Sequence, residues 1–312
     1  MRILVIGAGA TGGYYGGKLA LAGRDVTFLV REKRAEQLRR TGLVLRTPEG
    51  ESTLEPKLVL AADLAAAGSF DLILLSTKAY GLESAIADMA PAVGEQTMIL
   101  PVLNGMRHLE VLAGRFGQEK VLGGLCRIVG DLDAEGRVLQ MTELNELAYG
   151  ELSGEKTERI ERVHATLSGV GFHAVLAESI LNAMWVKWML LASLGSINVL
   201  SRGSIGTVRA VEELEGVGLR FAAHVLEESF AVATAYGYPP DAAAEAMVRG
   251  RLTEPGSTLE SSMYRDFTRG YSVEAMQIVG DMVLRARRKQ VPTPLLEAAF
   301  VQLRIYEKTL PR

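Results

Sequence analysis

Along the first half of the chain, short and almost wholly apolar runs alternate with longer stretches of helical periodicity. Residues 3–6, 26–30, 72–76 and 98–103 form the apolar runs, and residues 12–22, 34–40 and 82–89 carry the helical patterns. Gly23 closes the first of these helices. Strands that are apolar throughout suit a parallel sheet covered on both faces, because neither face meets water. Strands alternating with helices imply right-handed crossovers, hence a doubly wound α/β domain. From residue 121 to residue 150 the texture changes. Residues 122–129, 137–141 and 147–150 form shorter strands joined by turns such as Asp133-Ala134-Glu135-Gly136, and are expected to extend the same sheet. A helix over 157–167 and a last strand over 172–176 follow.

After Glu178 the strand signal disappears. Residues 180–194, 212–236, 241–249, 273–289 and 294–310 all have helical patterns. Ser272 and Pro294 mark helix starts and Gly237 a stop. The pattern predicts an α/β domain over residues 1–178 and an all-helical domain over residues 179–312, without internal repeats.

Composition adds boundaries. At 312 residues the chain has room for two ordinary domains. A net charge of −3 gives no basic excess of the kind that nucleic-acid or membrane-surface proteins show. Cys126 is the single cysteine, so no internal disulfide forms and a reducing, cytoplasmic setting is expected. The apolar start runs straight into a glycine cluster and has the pattern of a strand, not of a targeting segment. The apolar stretch 183–200 is interrupted by Lys187, Gly195 and Asn198, which argues against a membrane span. Apolar faces on the C-terminal helices are compatible with a homodimer.

Gly7-Ala8-Gly9-Ala10-Thr11-Gly12 follows the first strand and opens the first helix. In such a turn Gly7 permits the tight bend, Gly9 lets a pyrophosphate approach the backbone, and Gly12 lets helix and strand pack closely. The helix N-terminus offers free amides and a partial positive charge to the phosphates. This arrangement predicts a Rossmann-type dinucleotide site. An NAD site usually places a carboxylate at the end of the second strand; here Arg31 stands there, followed by Glu32, Lys33 and Arg34. A guanidinium suits a 2′-phosphate, so NADPH is the expected cofactor; the alternative has Glu32 holding the ribose of NAD.

Lys187 is the one charge in a helix that is otherwise apolar all round, from Ala183 to Ala192. Such a helix is usually core, and desolvation moves a lysine toward the range useful for acid–base work. Two readings stay open at this level: a general acid for a forming alkoxide, or a long stem reaching water at a domain edge. Glu274 has a similar double reading, as a substrate group or as a carboxylate favoured in a helix's first turn. Lys78 follows the third apolar run at the carboxyl edge of the sheet, where ligands of open α/β folds bind. His108, His164, His173, His224 and Cys126 have no metal-ligand spacing, and no metal is expected. Neither a GxSxG elbow nor a Walker A pattern occurs.

Taken together these residues resemble the ketopantoate reductase family (2-dehydropantoate 2-reductase). The resemblance spans nearly the whole chain: the GAGATGG turn, Arg31, Thr77-Lys78-Ala79, Asn104-Gly105-Met106, Trp185-Val186-Lys187, and Ser261-Ser262-Met263 with Asp266 and Glu274 downstream. It implies a Rossmann domain followed by a helical domain, with the active site in the cleft between them. It implies NADPH-dependent reduction of 2-dehydropantoate to pantoate, a step toward pantothenate. Lys187 would be the general acid, Glu274 and Ser262 would bind the substrate's hydroxyl and carboxylate, and Lys78 and Asn104 would lie near nicotinamide and substrate. The chain departs from the family pattern at Leu191 and Gly195, one and two turns after Lys187, where asparagines are common. Asn198 is the nearby asparagine and a further candidate for substrate binding. The departure opens an alternative: another small 2-oxo acid as substrate. A dinucleotide-binding sensor without turnover is a third reading.

Overall fold

The computed structural model describes residues 1–310. It divides into two compact units: Met1–Leu103 with His108–Ala183, and Asn104–Arg107 with the chain from Met184 onward. The division thus falls after Ala183 and within a helix, where the strand–helix pattern had placed it at Glu178. The change of composition at Glu178 marks where that helix is about to start, and the helix is continuous through both segments.

The first unit runs β1 (Arg2–Ile6), α1 (Ala10–Leu21), β2 (Asp25–Leu29), α2 (Glu32–Thr41), β3 (Leu43–Thr47), β4 (Gly50–Leu54) and β5 (Lys57–Val59). It continues with α3 (Leu64–Ala67), β6 (Leu72–Leu75), α4 (Leu82–Met89), β7 (Met98–Pro101), α5 (Arg107–Phe116), β8 (Gly123–Leu132), β9 (Val138–Gly150), α6 (Glu158–Leu167) and β10 (His173–Leu176). One sheet has the order β5-β2-β1-β6-β7 and is parallel throughout. Strands β1, β6 and β7 are buried throughout apart from Arg2, as their apolar runs require.

A second sheet corrects the expectation that the later strands extend the first. Its order is β10-β9-β3-β4, with β8 pairing antiparallel to β9. The chain touches the first sheet at one bridge, Ile99 to Val121, and then leaves it. Most of β8 is only half-buried, which a strand on the flank of a two-sided parallel sheet would not tolerate.

Helix α1 packs on both sheets through glycines. A Cβ on Gly12 would lie 3.2 Å from Val5, and one on Gly16 2.6 Å from Phe28, both in the first sheet. A Cβ on Gly13 would lie 2.7 Å from Val138, and one on Gly17 2.9 Å from Leu45, both in the second. Tyr15 between them is fully buried and its hydroxyl donates to the Glu146 carbonyl at 2.7 Å.

The second unit is helical: α7 (Ile180–Ser201), α8 (Ile205–Arg209), α9 (Glu213–Ala235), α10 (Ala242–Thr253), α11 (Ser262–Thr268), α12 (Asp281–Arg288) and α13 (Pro294–Thr309). The helix expected over 273–289 is not uniform. Met276–Gly280 is a π-helical segment that feeds into α12. Helix α7 is long and apolar enough to cross a membrane, but 61% of its most apolar window is buried inside the protein, as for a core helix. Trp185 and Trp188 of α7 are buried against Arg285, whose guanidinium lies 6.0 and 5.6 Å from their ring centroids. Asp281 neutralises that buried cation at 3.0 Å.

Candidate active site

The phosphate-binding turn is built between β1 and α1. The Gly7 amide donates to the Leu29 carbonyl at 2.9 Å, and Gly7 has φ of +87°, a conformation that needs glycine. Behind the turn space is tight: a Cβ on Gly12 would stand 2.2 Å from Ser76 Oγ and 2.3 Å from the Gly7 carbonyl. In front of it, a Cβ on Gly9 would meet nothing within 4 Å. The first helical bond runs from the Gly13 amide to the Gly9 carbonyl at 2.7 Å. The amides of Ala10, Thr11 and Gly12 precede that bond and have no acceptor within the helix. Beside the turn the Thr77 hydroxyl is buried without a hydrogen-bond partner. Open space at Gly9, free amides and an unsatisfied hydroxyl fit the phosphates of a dinucleotide.

Arg31 is exposed at the end of β2, and its Nη2 reaches Ser84 Oγ at 3.4 Å. Glu32, the alternative ribose ligand, is exposed and 3.4 Å from Arg39. Arg34, read from sequence only as the start of a polar helical segment, turns inward. Its Nε and Nη2 both donate to the Ala8 carbonyl, at 3.1 and 2.7 Å. Nη1 donates to the Gly136 carbonyl at 2.8 Å and to Gln37 Oε1 at 2.7 Å. Burial pulls this guanidinium below its ordinary pKa, though an arginine stays charged at neutral pH. Lys78 is exposed and precedes a 3-10 turn at the carboxyl edge of the first sheet.

The other candidates belong to the helical unit, and α7 organises them. Lys187 is half-buried, with Trp185 and Trp188 buried on either side of it in sequence. The desolvation argued from sequence is therefore partial. Ala183, Val186, Leu190 and Leu191 are also half-buried and share its face, so this half of α7 carries an incompletely covered stripe. Beyond Leu191 the helix is buried through Val199.

Two segments meet α7, and a third is held by the first of them. Trp188 Nε1 donates to the Ile278 carbonyl at 2.8 Å, which ties the helix at Lys187 to the π segment just after Glu274. Glu274 is 7% exposed and its carbonyl accepts from the Ile278 amide at 3.0 Å. Gln277, three residues on, is buried and donates through Nε2 to the Asn104 carbonyl at 2.8 Å. The next residue, Gly105, has φ of +78°, and a Cβ there would stand 2.6 Å from the Gln277 carbonyl. Asn104 itself is half-buried. Further along α7, a Cβ on Gly195 would lie 2.5 Å from Met263 Cε and 3.7 Å from Ser261 Oγ. Ser262 opens α11 between those two residues and is half-buried, while Ser261 caps the helix through a bond to the Tyr264 amide at 3.0 Å.

Asn198 has backbone partners on both ends of its amide. It is fully buried, its Oδ1 accepts from the Ser261 amide at 2.9 Å, and its Nδ2 donates to the Gly203 carbonyl at 2.9 Å. A weaker contact reaches the Leu259 carbonyl at 3.5 Å. Its amide is engaged on backbone, so it braces the Ser261–Ser262 segment. Sequence reasoning missed Arg34, Gln277 and this role of Asn198, because each acts on a backbone group remote in the chain and no local pattern announces it. Among the described residues no three His, Cys, Asp or Glu side chains converge on a metal position.

Residues 3–154 match the family model described as ketopantoate reductase PanE/ApbA, and residues 179–307 match the model of its C-terminal domain. An uncharacterized oxidoreductase of Bacillus subtilis, YkpB, is 36% identical over 98% of this chain and 99% of its own length. The crystal structure of 2-dehydropantoate 2-reductase from Methylococcus capsulatus superposes with a TM-score of 0.85 at 29% identity, over 100% of this chain and 98% of that one. A D-mandelate dehydrogenase solved with NADH and anilino(oxo)acetate shares the fold, with a TM-score of 0.87 at 21% identity and 99% of each chain covered.

Proposed function

The chain belongs to the ketopantoate reductase family of oxidoreductases, and from that premise we propose that it reduces 2-dehydropantoate to pantoate with NADPH. The observation that carries this reading is that, within one unit, the segments bearing Glu274 and Ser262 meet α7, which bears Lys187, and the segment bearing Asn104 is held by Gln277 of the first. Bound NADPH supplies the hydride. Lys187 donates a proton to the carbonyl oxygen as hydride reaches C2, so the ketone becomes a secondary alcohol and the lysine is left neutral. Its ammonium also stabilises the negative charge that builds on that oxygen before the proton moves. The Ser262 hydroxyl donates to the substrate carboxylate, and the Glu274 carboxylate accepts from the distal hydroxyl. Asn104, held by Gln277, stands near the reacting carbonyl.

Arg31 supports NADPH over NADH, since its guanidinium stands at the end of β2 where a ribose-binding carboxylate would otherwise be. The test is consumption of NADPH with 2-dehydropantoate, run beside NADH and the Lys187→Ala variant. The variant should lose roughly 10²- to 10⁴-fold in kcat. An unchanged kcat would remove Lys187 from the role of acid.

A second reading keeps the reaction and changes the substrate to another small 2-oxo acid. Leu191 and Gly195 favour it: the first is apolar, and Met263 already occupies the space a side chain at the second would need. Without an amide at either position, a hydroxylated substrate gains less over its unhydroxylated analogue. A panel of branched, aromatic and hydroxylated 2-oxo acids ranked by kcat/KM separates the two.

A further inference from the structure

Arg34 lies three residues beyond the arginine expected to read the 2′-phosphate, yet its hydrogen bonds run toward the phosphate-binding turn. Four of the five guanidinium N–H groups are used: two on the Ala8 carbonyl, one on Gly136 and one on Gln37. Little donor capacity is left for a ligand. Two of the bonds fall on the Ala8–Gly9 peptide, beside the open space at Gly9. In a trans peptide the C=O and N–H point in opposite directions, so holding the Ala8 carbonyl directs the Gly9 amide away from Arg34. Among the described residues no protein acceptor meets that amide. On its other side the guanidinium is held by the β8–β9 turn. Gly136 has φ of +76°, and a Cβ there would stand 2.6 Å from Arg34 Nη1. Gln37 reaches the Glu135 carbonyl of the same turn.

We propose that Arg34 is a positioning residue for the dinucleotide: braced by the β8–β9 turn, it fixes the Ala8–Gly9 peptide so that the Gly9 amide is preset for the pyrophosphate. This rests on the reading that the turn holds a dinucleotide. The role is independent of the 2′-phosphate, because the pyrophosphate is common to NADPH and NADH. Arg31 and Arg34 therefore divide the work, one selecting the cofactor and the other presetting the turn.

The test is calorimetric titration of NADPH and of NADH into the full chain and into Arg34→Ala, Arg34→Lys, Gly136→Ala and Arg31→Ala. Arg34→Ala should weaken both dinucleotides by a similar factor, roughly 10- to 100-fold, as expected for lost hydrogen bonds from a charged donor. Gly136→Ala, which crowds Arg34 Nη1 and Gln37 while leaving the arginine itself in place, should weaken both in the same ratio by a smaller factor. Arg31→Ala should weaken NADPH alone. At saturating dinucleotide, kcat of Arg34→Ala should stay within about threefold of the parent, a split that general loosening would not produce. If Arg34→Ala does not fold, Arg34→Lys decides, because it keeps the charge and cannot make the paired contact to Ala8. Loss confined to NADPH in either Arg34 variant would make Arg34 a 2′-phosphate ligand and overturn the proposal, as would unchanged affinity for both. Failure of the unsubstituted chain to bind either dinucleotide would overturn the reading beneath it as well.

Discussion

Replacing Asn198 with alanine removes a side chain that hydrogen-bonds the C-terminal half of α7 to the start of α11. Two buried backbone groups lose their partners: the Ser261 amide at 2.9 Å and the Gly203 carbonyl at 2.9 Å. Each buried polar group left unsatisfied costs about 1–3 kcal/mol. The Leu259 contact at 3.5 Å adds little. The sum is roughly 2–6 kcal/mol, a large part of the ~5–15 kcal/mol that keeps a typical protein folded. Asn198→Asp should cost at least as much, since it keeps the acceptor for Ser261 but turns a carboxylate oxygen toward the Gly203 carbonyl in a fully buried place.

The chain offers a selective readout. Both of its tryptophans, Trp185 and Trp188, are buried in the helical unit, so fluorescence during urea unfolding follows that unit. The midpoint should fall with little change in slope. Because Ser261 caps α11 and Ser262 begins it, KM for the oxo acid should rise, while dinucleotide affinity, which belongs to the first unit, stays as it was. A stability change under about 0.5 kcal/mol would refute the brace, given the cost expected for unsatisfied groups. A KM effect with no stability change would return Asn198 to the substrate.

Two further outcomes are expected. Gly12→Ala places a carbon 2.2 Å from Ser76 Oγ and 2.3 Å from the Gly7 carbonyl, so it should destabilise and weaken dinucleotide binding; Gly9→Ala, in open space, should weaken binding alone. Thermal melts beside calorimetry tell them apart, and parental affinity in Gly12→Ala would show the turn to be more yielding than its contacts imply. The second concerns acid. Burial pushes the Glu151 carboxyl up, but Arg159 and Thr157 outweigh it and hold the pKa below its ordinary value of 4.5. A folded pKa below the unfolded one gives stability that is present above pH 4.5 and lost as pH falls through the folded value. Glu151→Gln should flatten the acid limb of a stability–pH curve, and an unchanged slope would count against the pair.

Legibility from sequence followed burial. The strands β1, β6 and β7 were visible because both faces are covered and every position after Arg2 is apolar. The β3–β4 pair was not seen: β4, GESTL, is almost wholly exposed and carries no apolar pattern. Strands β8 and β9 were seen, but their sheet was not, since periodicity says which faces are buried and not which partner buries them. In the site, Lys187 and the glycine turn stood out because each is costly where it lies. Gln277 and Arg34 did not, because their partners, Asn104 and Ala8, are 173 and 26 residues away.

The glycine-rich start of α1 shows why a motif and a function are separate inferences. Of the glycines in GAGATGGYYGG, Gly7 and Gly9 shape the face offered to a phosphate. Gly12, Gly13, Gly16 and Gly17 answer to packing, as their alternating contacts with Val5, Val138, Phe28 and Leu45 show. Each helical glycine costs about 1 kcal/mol relative to alanine, so four are kept in one helix only if close approach on both sides returns more. A Cβ at any of the last three would stand under 3.0 Å from a core side chain, which is the distance the two sheets would have to give up. The second half of the run thus specifies a helix held between two sheets, whatever the turn binds. The first half, with Arg34 behind it, is where affinity for a dinucleotide is decided.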